Sequence, residues 1–157
     1  MRAGIGYDIH PLEAGLPLVL GGVRIEHERG LSGHSDGDAL VHAVIDALLG
    51  AAALGDIGHH FPSGDERLRD ANSLALLRNA VKLLAAERFR IVNVDATVIA
   101  EAPKLAPHVA AMRAALADAL GVDVGSVSVK ATTSDGLGAL GREEGIGALA
   151  IALLDST

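Results

Sequence analysis

Hydrophobic and polar positions change their period several times along this 157-residue chain, and each change marks an element. Residues 2–10 alternate with period two and predict a strand. Leu18 to Ile25 (LVLGGVRI) holds two β-rich runs around Gly21-Gly22, which predicts a hairpin. Residues 28–37 (ERGLSGHSDG) are polar and Gly-rich and read as a loop. Ser35-x-x-Asp38 resembles a capping box and opens an apolar helix running to about Leu54. Residues 55–72 read as a long loop with a single turn inside it; loops of that length in compact domains are often functional. Leu74, Leu77, Val81 and Leu84 recur at helical spacing and predict a helix over 73–87. Residues 91–100 (IVNVDATVIA) alternate as a strand, and 107–120 form a helix with Pro107 in its first turn and Gly121 as its stop. Strands at 126–132 and 146–154 flank a Gly-rich connection, Asp135 to Gly145.

This order, roughly βββα, αβ, αββ, has no internal repeat and no linker, so one domain spanning 1–157 is expected. Helices mixed with a few strands predict a two-layer α+β subunit, with helices on one face of a mixed sheet. Too few helices remain to cover the other face, which predicts burial against other subunits.

Composition narrows the function classes. Half the chain is hydrophobic, which excludes disorder, yet only Tyr7, Phe61 and Phe89 are aromatic, while alanine (28) and leucine (23) dominate. The formal charge of −7 and the lack of stacking rings argue against a nucleic-acid polymer as partner. Zero cysteines exclude disulfides and thiolate ligands and fit a reducing, cytoplasmic setting. No leader is expected. The most membrane-like run, 39–55, is interrupted by His42 and Asp46 and is short for a span, so no membrane partner is expected.

The candidate chemistry sits in five places. Asp8-x-His10 places a carboxylate and an imidazole on one face of a strand. His42, with Asp38 and Asp46 one turn to either side, makes a polar stripe on an otherwise apolar helix. Burying such groups is costly unless they pair or bind a metal, so the stripe is either a His–Asp pair or part of a zinc-type site. His34-Ser35-Asp36-Gly37-Asp38 precedes the same helix, where free N–H groups suit phosphate or an ordinary cap. Lys130-Ala131-Thr132-Thr133-Ser134-Asp135 ends a strand with three hydroxyls and a carboxylate, and Ala102 to Pro107 is a proline-bracketed turn. His27, His59, His60 and His108 read as solvated, and Glu143-Glu144 as a charged turn.

Taken jointly, GYDIH (6–10), HSDGDALVHAVIDALLGAAALGDIG (34–58), FPSGD (61–65), NVDATVIAEAPKLAPH (93–108) and VKATTSDGLGALGREEGI (129–146) are one pattern in order and spacing. It resembles the 2-C-methyl-D-erythritol 2,4-cyclodiphosphate synthase family of the non-mevalonate isoprenoid pathway, over nearly the whole chain. The resemblance implies a homotrimer of α+β subunits with active sites between neighbours. It implies a phosphorus–oxygen lyase that cyclises 4-diphosphocytidyl-2-C-methyl-D-erythritol 2-phosphate and releases CMP. It assigns Asp8, His10 and His42 to Zn²⁺, and Asp135 to a second cation, Mg²⁺ or Mn²⁺, bridging the substrate's diphosphate. His34 and Ser35 then contact phosphate, with His34 and Thr133 stabilising the transition state and Asp38 in the same mobile loop. Asp56, Ile57 and Gly58 serve the polyol hydroxyls, and Phe61, Pro62, Ser63, Gly64 and Asp65 wall its pocket. From a neighbouring chain, Ala100, Glu101, Ala102, Pro103, Lys104, Leu105 and Ala106 grip cytosine, while Thr132, Thr133 and Ser134 approach the phosphates. Asp46 orients His42 from behind.

Three features of the sequence stand out against the family pattern. Asp135 stands where glutamate is usual, which shortens its reach by one methylene. Ala139 replaces an aromatic in the region lining the trimer's central cavity, so apolar wall for an isoprenoid diphosphate is lost there while Arg142 remains as an anion contact. Ser63-Gly64 fill the variable places of the FPxxD segment.

Overall fold

The amino-terminal alternation becomes strand β1 (Arg2–Ala14), four residues longer than its pattern predicts. The computed structural model describes residues 1–157. The Gly21-Gly22 hairpin forms as β2 (Leu18–Leu20) and β3 (Val23–Ile25), both glycines at positive φ as a tight two-residue turn requires. The predicted 28–37 loop contains β4 (Arg29–Leu31), antiparallel to the end of β1. Three residues show no period of their own, so this strand exists only because β1 offers it an edge.

Helix α1 (Ala39–Ala52) starts one residue after Asp38, which is its N-cap and accepts from Val41 N–H; Ser35 is not the cap. The 55–72 connection contains two short turns rather than one: α2 (Ile57–His60) and a 3₁₀ turn at Glu66–Leu68. Helix α3 (Ser73–Ala86) and β5 (Phe89–Ile99) follow their patterns. Pro107 lies in a 3₁₀ turn, Ala106–His108, that leads into α4 (Val109–Leu120), ended by Gly121 in the left-handed region. Strands β6 (Val127–Thr132) and β7 (Gly145–Ser156) enclose a single-turn helix, α5 (Gly138–Gly141), inside the Gly-rich connection.

The main sheet has the order β4-β1-β7-β5-β6, parallel between β5 and β6 and antiparallel elsewhere. Helices lie on one face, giving the two-layer α+β arrangement. Alternation along β1 sends Gly4, Gly6, Asp8 and His10 toward α1 and leaves Ile5, Tyr7 and Ile9 on the opposite face, exposed. Ile5 pairs with Ile151 and Tyr7 with Leu149, so four large apolar side chains form one open patch on the central strands. Toward the sheet's edge the patch gives way to the Lys130–Asp95 ion pair.

Small residues set how close α1 comes to β1. A Cβ at Gly6 would sit 1.9 Å from the Ala43 carbonyl oxygen, and one at Gly4 2.1 Å from that of Ala47. Both obstacles are backbone, which has nowhere to go. Because Asp8 and His10 continue the same strand face, this close approach also sets their distance to His42. Gly6→Ala is expected to cost about 3 kcal/mol through overpacking, lowering Tm by about 10 °C for a chain of this size. Gly64→Ala, where a Cβ meets nothing within 4 Å, should melt with the parent in the same scan.

Candidate functional site

Asp8 and His10 come from β1 and His42 from the first turn of α1. Asp8 Oδ2 lies 2.8 Å from His10 Nε2 and 3.1 Å from His42 Nδ1, and the two imidazole nitrogens are 3.1 Å apart. The hydrogen bonds on the outer sides of the rings define what meets in the middle. His10 Nδ1–H donates to the Ser32 carbonyl at 2.7 Å. A neutral His10 therefore turns a lone pair inward at Nε2. His42 Nε2 lies 2.8 Å from Ser73 Oγ and 3.0 Å from Ser35 Oγ.

Two imidazole nitrogens and a carboxylate oxygen thus converge on one point, an arrangement that repels itself without a positive charge at its centre. Burial alone would raise Asp8 and lower His10. Hydrogen bonding and attraction among Asp8, His10 and His42 outweigh it, so Asp8 is held below the usual carboxylate range and His10 above the usual imidazole value. Both directions reflect the attraction between the Asp8 carboxylate and positive charge on the facing imidazole. A tetrahedral ion with bonds of about 2.0–2.1 Å has ligand atoms about 3.3 Å apart. The observed triangle is close to that, and its two nitrogens and one oxygen are a donor set a borderline divalent cation accepts. Three protein ligands leave a fourth position open.

The open side faces a cavity of about 250 Å³, whose wall includes His34, Ser35, Ile57, Gly58, Phe61 and Ser63. The loop carrying His34 is stitched to the long connection by backbone bonds, Asp70 N–H to His34 and Asp36 N–H to Ala71. His34 Nε2–H also donates to the Asp65 carbonyl at 3.0 Å, leaving its other ring nitrogen without a protein partner. Asp56 caps α2 through His59 N–H, which places Ile57 and Gly58 at the cavity's edge.

The comparison with known proteins decides the family. The model of the YgbB family matches residues 1–155. The chain belongs to the YgbB family. A 2-C-methyl-D-erythritol 2,4-cyclodiphosphate synthase from Thioalkalivibrio sulfidiphilus is 59% identical over 156 residues, 99% of this chain and 98% of its own. A solved structure of such a synthase, in a CDP-bound form, superposes with a TM-score of 0.90 at 38% identity, covering 98% of this chain and 100% of its own. The bifunctional IspDF from Campylobacter jejuni gives 0.96 at 41% identity over 99% of this chain, which spans 42% of that longer one.

Within this YgbB chain most of the sequence-predicted residues fall into two groups, while Asp56, Pro62, Gly64 and Asp65 lie outside the cavity lining, the Asp65 carboxylate being taken up by Arg67. Asp8, His10, His34, Ser35, His42, Ile57, Gly58, Phe61 and Ser63 line one cavity. Thr132 to Asp135 and Ala100 to Ala106 form a second cluster at the ends of β5 and β6, outside that cavity. There Ala100 N–H donates to Thr132, and the Glu101 carboxylate accepts from Ser134 N–H at 2.7 Å, tying the two segments together. The Ala102–Pro103 bond is cis. Asp135 has a φ of 52°, a left-handed conformation that the shorter aspartate tolerates better than glutamate. Its backbone and carboxylate both bond Thr133 Oγ1, each at 3.2 Å. Arg142, expected as an anion contact, is exposed and paired with Glu144.

Two expectations are corrected. Asp38 is fully buried and does not line the cavity. Its carboxylate accepts N–H groups from Gly21, Gly22 and Val41, capping α1 and pinning the β2–β3 hairpin to it. Burial pushes it up to about 6 in spite of these bonds. Asp46 does not orient His42; it accepts Ile57 N–H at 2.8 Å and so holds α2 against α1. Burial, with Asp56 and Asp8 nearby, raises its pKa. The outer nitrogen of His42 is touched by Ser35, which was expected at the site, and by Ser73, backed by Asp36, neither of which was. His60 is also tied down, its Nε2–H donating to the Leu54 carbonyl.

Proposed function

We propose that this chain cyclises 4-diphosphocytidyl-2-C-methyl-D-erythritol 2-phosphate to 2-C-methyl-D-erythritol 2,4-cyclodiphosphate with release of CMP, a phosphorus–oxygen lyase reaction. The carrying observation is the inward-facing Asp8, His10 and His42 at a cavity of about 250 Å³, in a family with a solved, CDP-bound synthase. An oxygen of the substrate's 2-phosphate attacks the β-phosphorus, the bond from that phosphorus to the oxygen bridging the α-phosphate breaks, and CMP leaves with the bridging oxygen. No covalent enzyme intermediate is needed, so the protein's task is to position the groups and offset charge.

Asp8, His10 and His42 would hold Zn²⁺, which supplies Lewis-acid polarisation of a β-phosphate oxygen. His34 and Ser35 contact the phosphates of the methylerythritol half. Ile57 and Gly58, held at the cavity's edge by the Asp56 cap, face its hydroxyls, and Phe61 and Ser63 wall the pocket. The second cluster, Ala100 to Ala106 with Thr132, Thr133, Ser134 and Asp135, reads cytosine through backbone groups and takes the α-phosphate side, with Asp135 offering its carboxylate to Mg²⁺ or Mn²⁺.

That cluster lies outside the cavity of its own chain, which supports assembly of the site from two chains. The open patch of Ile5, Tyr7, Leu149 and Ile151 supports a homotrimer with these sheet faces turned inward. No helix of the chain is long and apolar enough to cross a membrane. Incubation of the purified protein with the cytidyl substrate, Zn²⁺ and Mg²⁺ is expected to yield CMP and the cyclic diphosphate, resolved by ³¹P NMR. Linear phosphate products would make it a hydrolase using the same ligands, and a metal-free, inert protein would make it a binding module.

A further inference from the structure

Ser73 is fully buried at the first turn of α3, and the ordinary task of a serine there, capping, is already done by Asn72, whose side chain accepts Leu74 N–H. Its hydroxyl instead bridges two segments remote in sequence. On one side lies His42 Nε2 at 2.8 Å. On the other lies Asp36, whose Oδ1 is within a short hydrogen bond of Ser73 Oγ. Asp36 also accepts Ser73 N–H at 3.0 Å and Asp38 N–H at 3.2 Å, so its carboxylate is surrounded by donors.

A hydroxyl has one proton. Directed at the Asp36 carboxylate, which has none to give, it leaves only a lone pair toward His42. The Nε2 of His42 must then carry the hydrogen, and in a neutral imidazole the other nitrogen, Nδ1, is bare. Nδ1 is the atom that meets Asp8 and His10. Ser35, 3.0 Å from the same Nε2, does not decide the matter, since its hydroxyl can rotate to give or to accept.

We propose that Ser73, held by Asp36, is a positioning residue that fixes His42 in the Nε2–H tautomer and so presents Nδ1 to the metal. Asp36 belongs to the loop of His34 and Ser35, so the same relay joins the phosphate-side loop to the metal side. Outer partners of metal-binding histidines typically govern affinity by about 10- to 100-fold.

The inference rests on Asp8, His10 and His42 being metal ligands, and the experiment separates the two. Zinc affinity is measured by chelator competition on the metal-free protein, with the melting temperature of each variant recorded. Ser73→Ala should bind zinc about 10- to 100-fold more weakly. Asp36→Asn, which keeps Ser73 but lets an amide N–H point at its hydroxyl, should weaken zinc in the same direction. Ser35→Ala should change it less than either. Long-range ¹H–¹⁵N NMR of the zinc-loaded parent, which needs no variant to fold, should show His42 with Nε2 protonated. A parent protein that binds no zinc would overturn the ligand reading itself. Zinc binding in Ser73→Ala as tight as in the parent, or a bare Nε2 on His42, would overturn only the role of Ser73.

Discussion

His42→Ala is expected to strip the protein of zinc and lower turnover by at least about 10³-fold, while the helix that carries the residue still folds. The metal loss follows from geometry. His42 supplies one of three ligand atoms, and the remaining two, Asp8 Oδ2 and His10 Nε2, are 2.8 Å apart and already close enough to share a proton. With the third ligand gone, a proton on His10 competes with the metal for the same point, because Asp8 raises the affinity of His10 for a proton. A Lewis acid on a transferring phosphoryl group contributes several kcal/mol of transition-state stabilisation, and about 4 kcal/mol corresponds to roughly 10³ in rate.

The fold should survive because α1 does not depend on this side chain. Leu40, Val44, Ile45, Leu48 and Leu49 are fully buried around it, and its cap is Asp38. Truncation leaves a small void beside Ser73 and Ser35, yet it also removes one member of a self-repelling trio. Metal content per chain, the melting curve and CMP release measured on the same preparation check the prediction. A variant holding zinc at parental level would remove His42 from the ligand set. One that loses metal yet keeps its rate would separate the ion from the chemistry.

Asp8, His10 and His42 stood out singly in the sequence, because that information is local, while their grouping as one ligand set came from the family resemblance. Period two along 2–10 sets Asp8 and His10 on one face, and a histidine amid alanine and leucine on a helix calls for a partner. The uncovered sheet face was legible for a similar reason: three long helices cannot cover both sides of a five-stranded sheet. What lay outside its reach depends on contacts between distant segments. Ser73 and Asp36 are 37 residues apart, and Ser73 and His42 are 31 apart. Read locally, Ser73 is a helix-start serine and Asp36 a loop aspartate. Asp38 misled because it directly follows the His34–Gly37 loop in sequence and reads as part of it, whereas the backbone of Gly21 and Gly22, packed against it, holds it as the buried cap of α1. Asp46 misled because i to i+4 spacing says two side chains share a helix face, not that they bond. Its better partner, Ile57 N–H, arrives when the chain folds back after α1.

Mixing two inactive variants is expected to restore activity. One is His42→Ala, which lacks a metal ligand. The other is the double variant Thr133→Ala with Asp135→Ala, which lacks the hydroxyl and carboxylate of the second cluster. Each assembled alone should retain less than about 1% of parental turnover if every site needs both parts. If each site takes His42 from one chain and Thr133 from its neighbour, a random equal mixture makes roughly one quarter of all sites intact, because two independent choices must both fall on the unaltered half. Refolding the two together, or expressing them together, should therefore return about a quarter of parental CMP release per site. Neither alteration touches the exposed apolar patch of Ile5, Tyr7, Leu149 and Ile151, so assembly itself should be unaffected. If instead one chain folds its own second cluster over its own metal, no chain in the mixture carries both intact parts, and activity stays at the level of the separate variants. Native mass spectrometry of the same mixture settles whether subunits exchanged. Mixed trimers that form in the expected ratio yet remain inactive would sink the shared site.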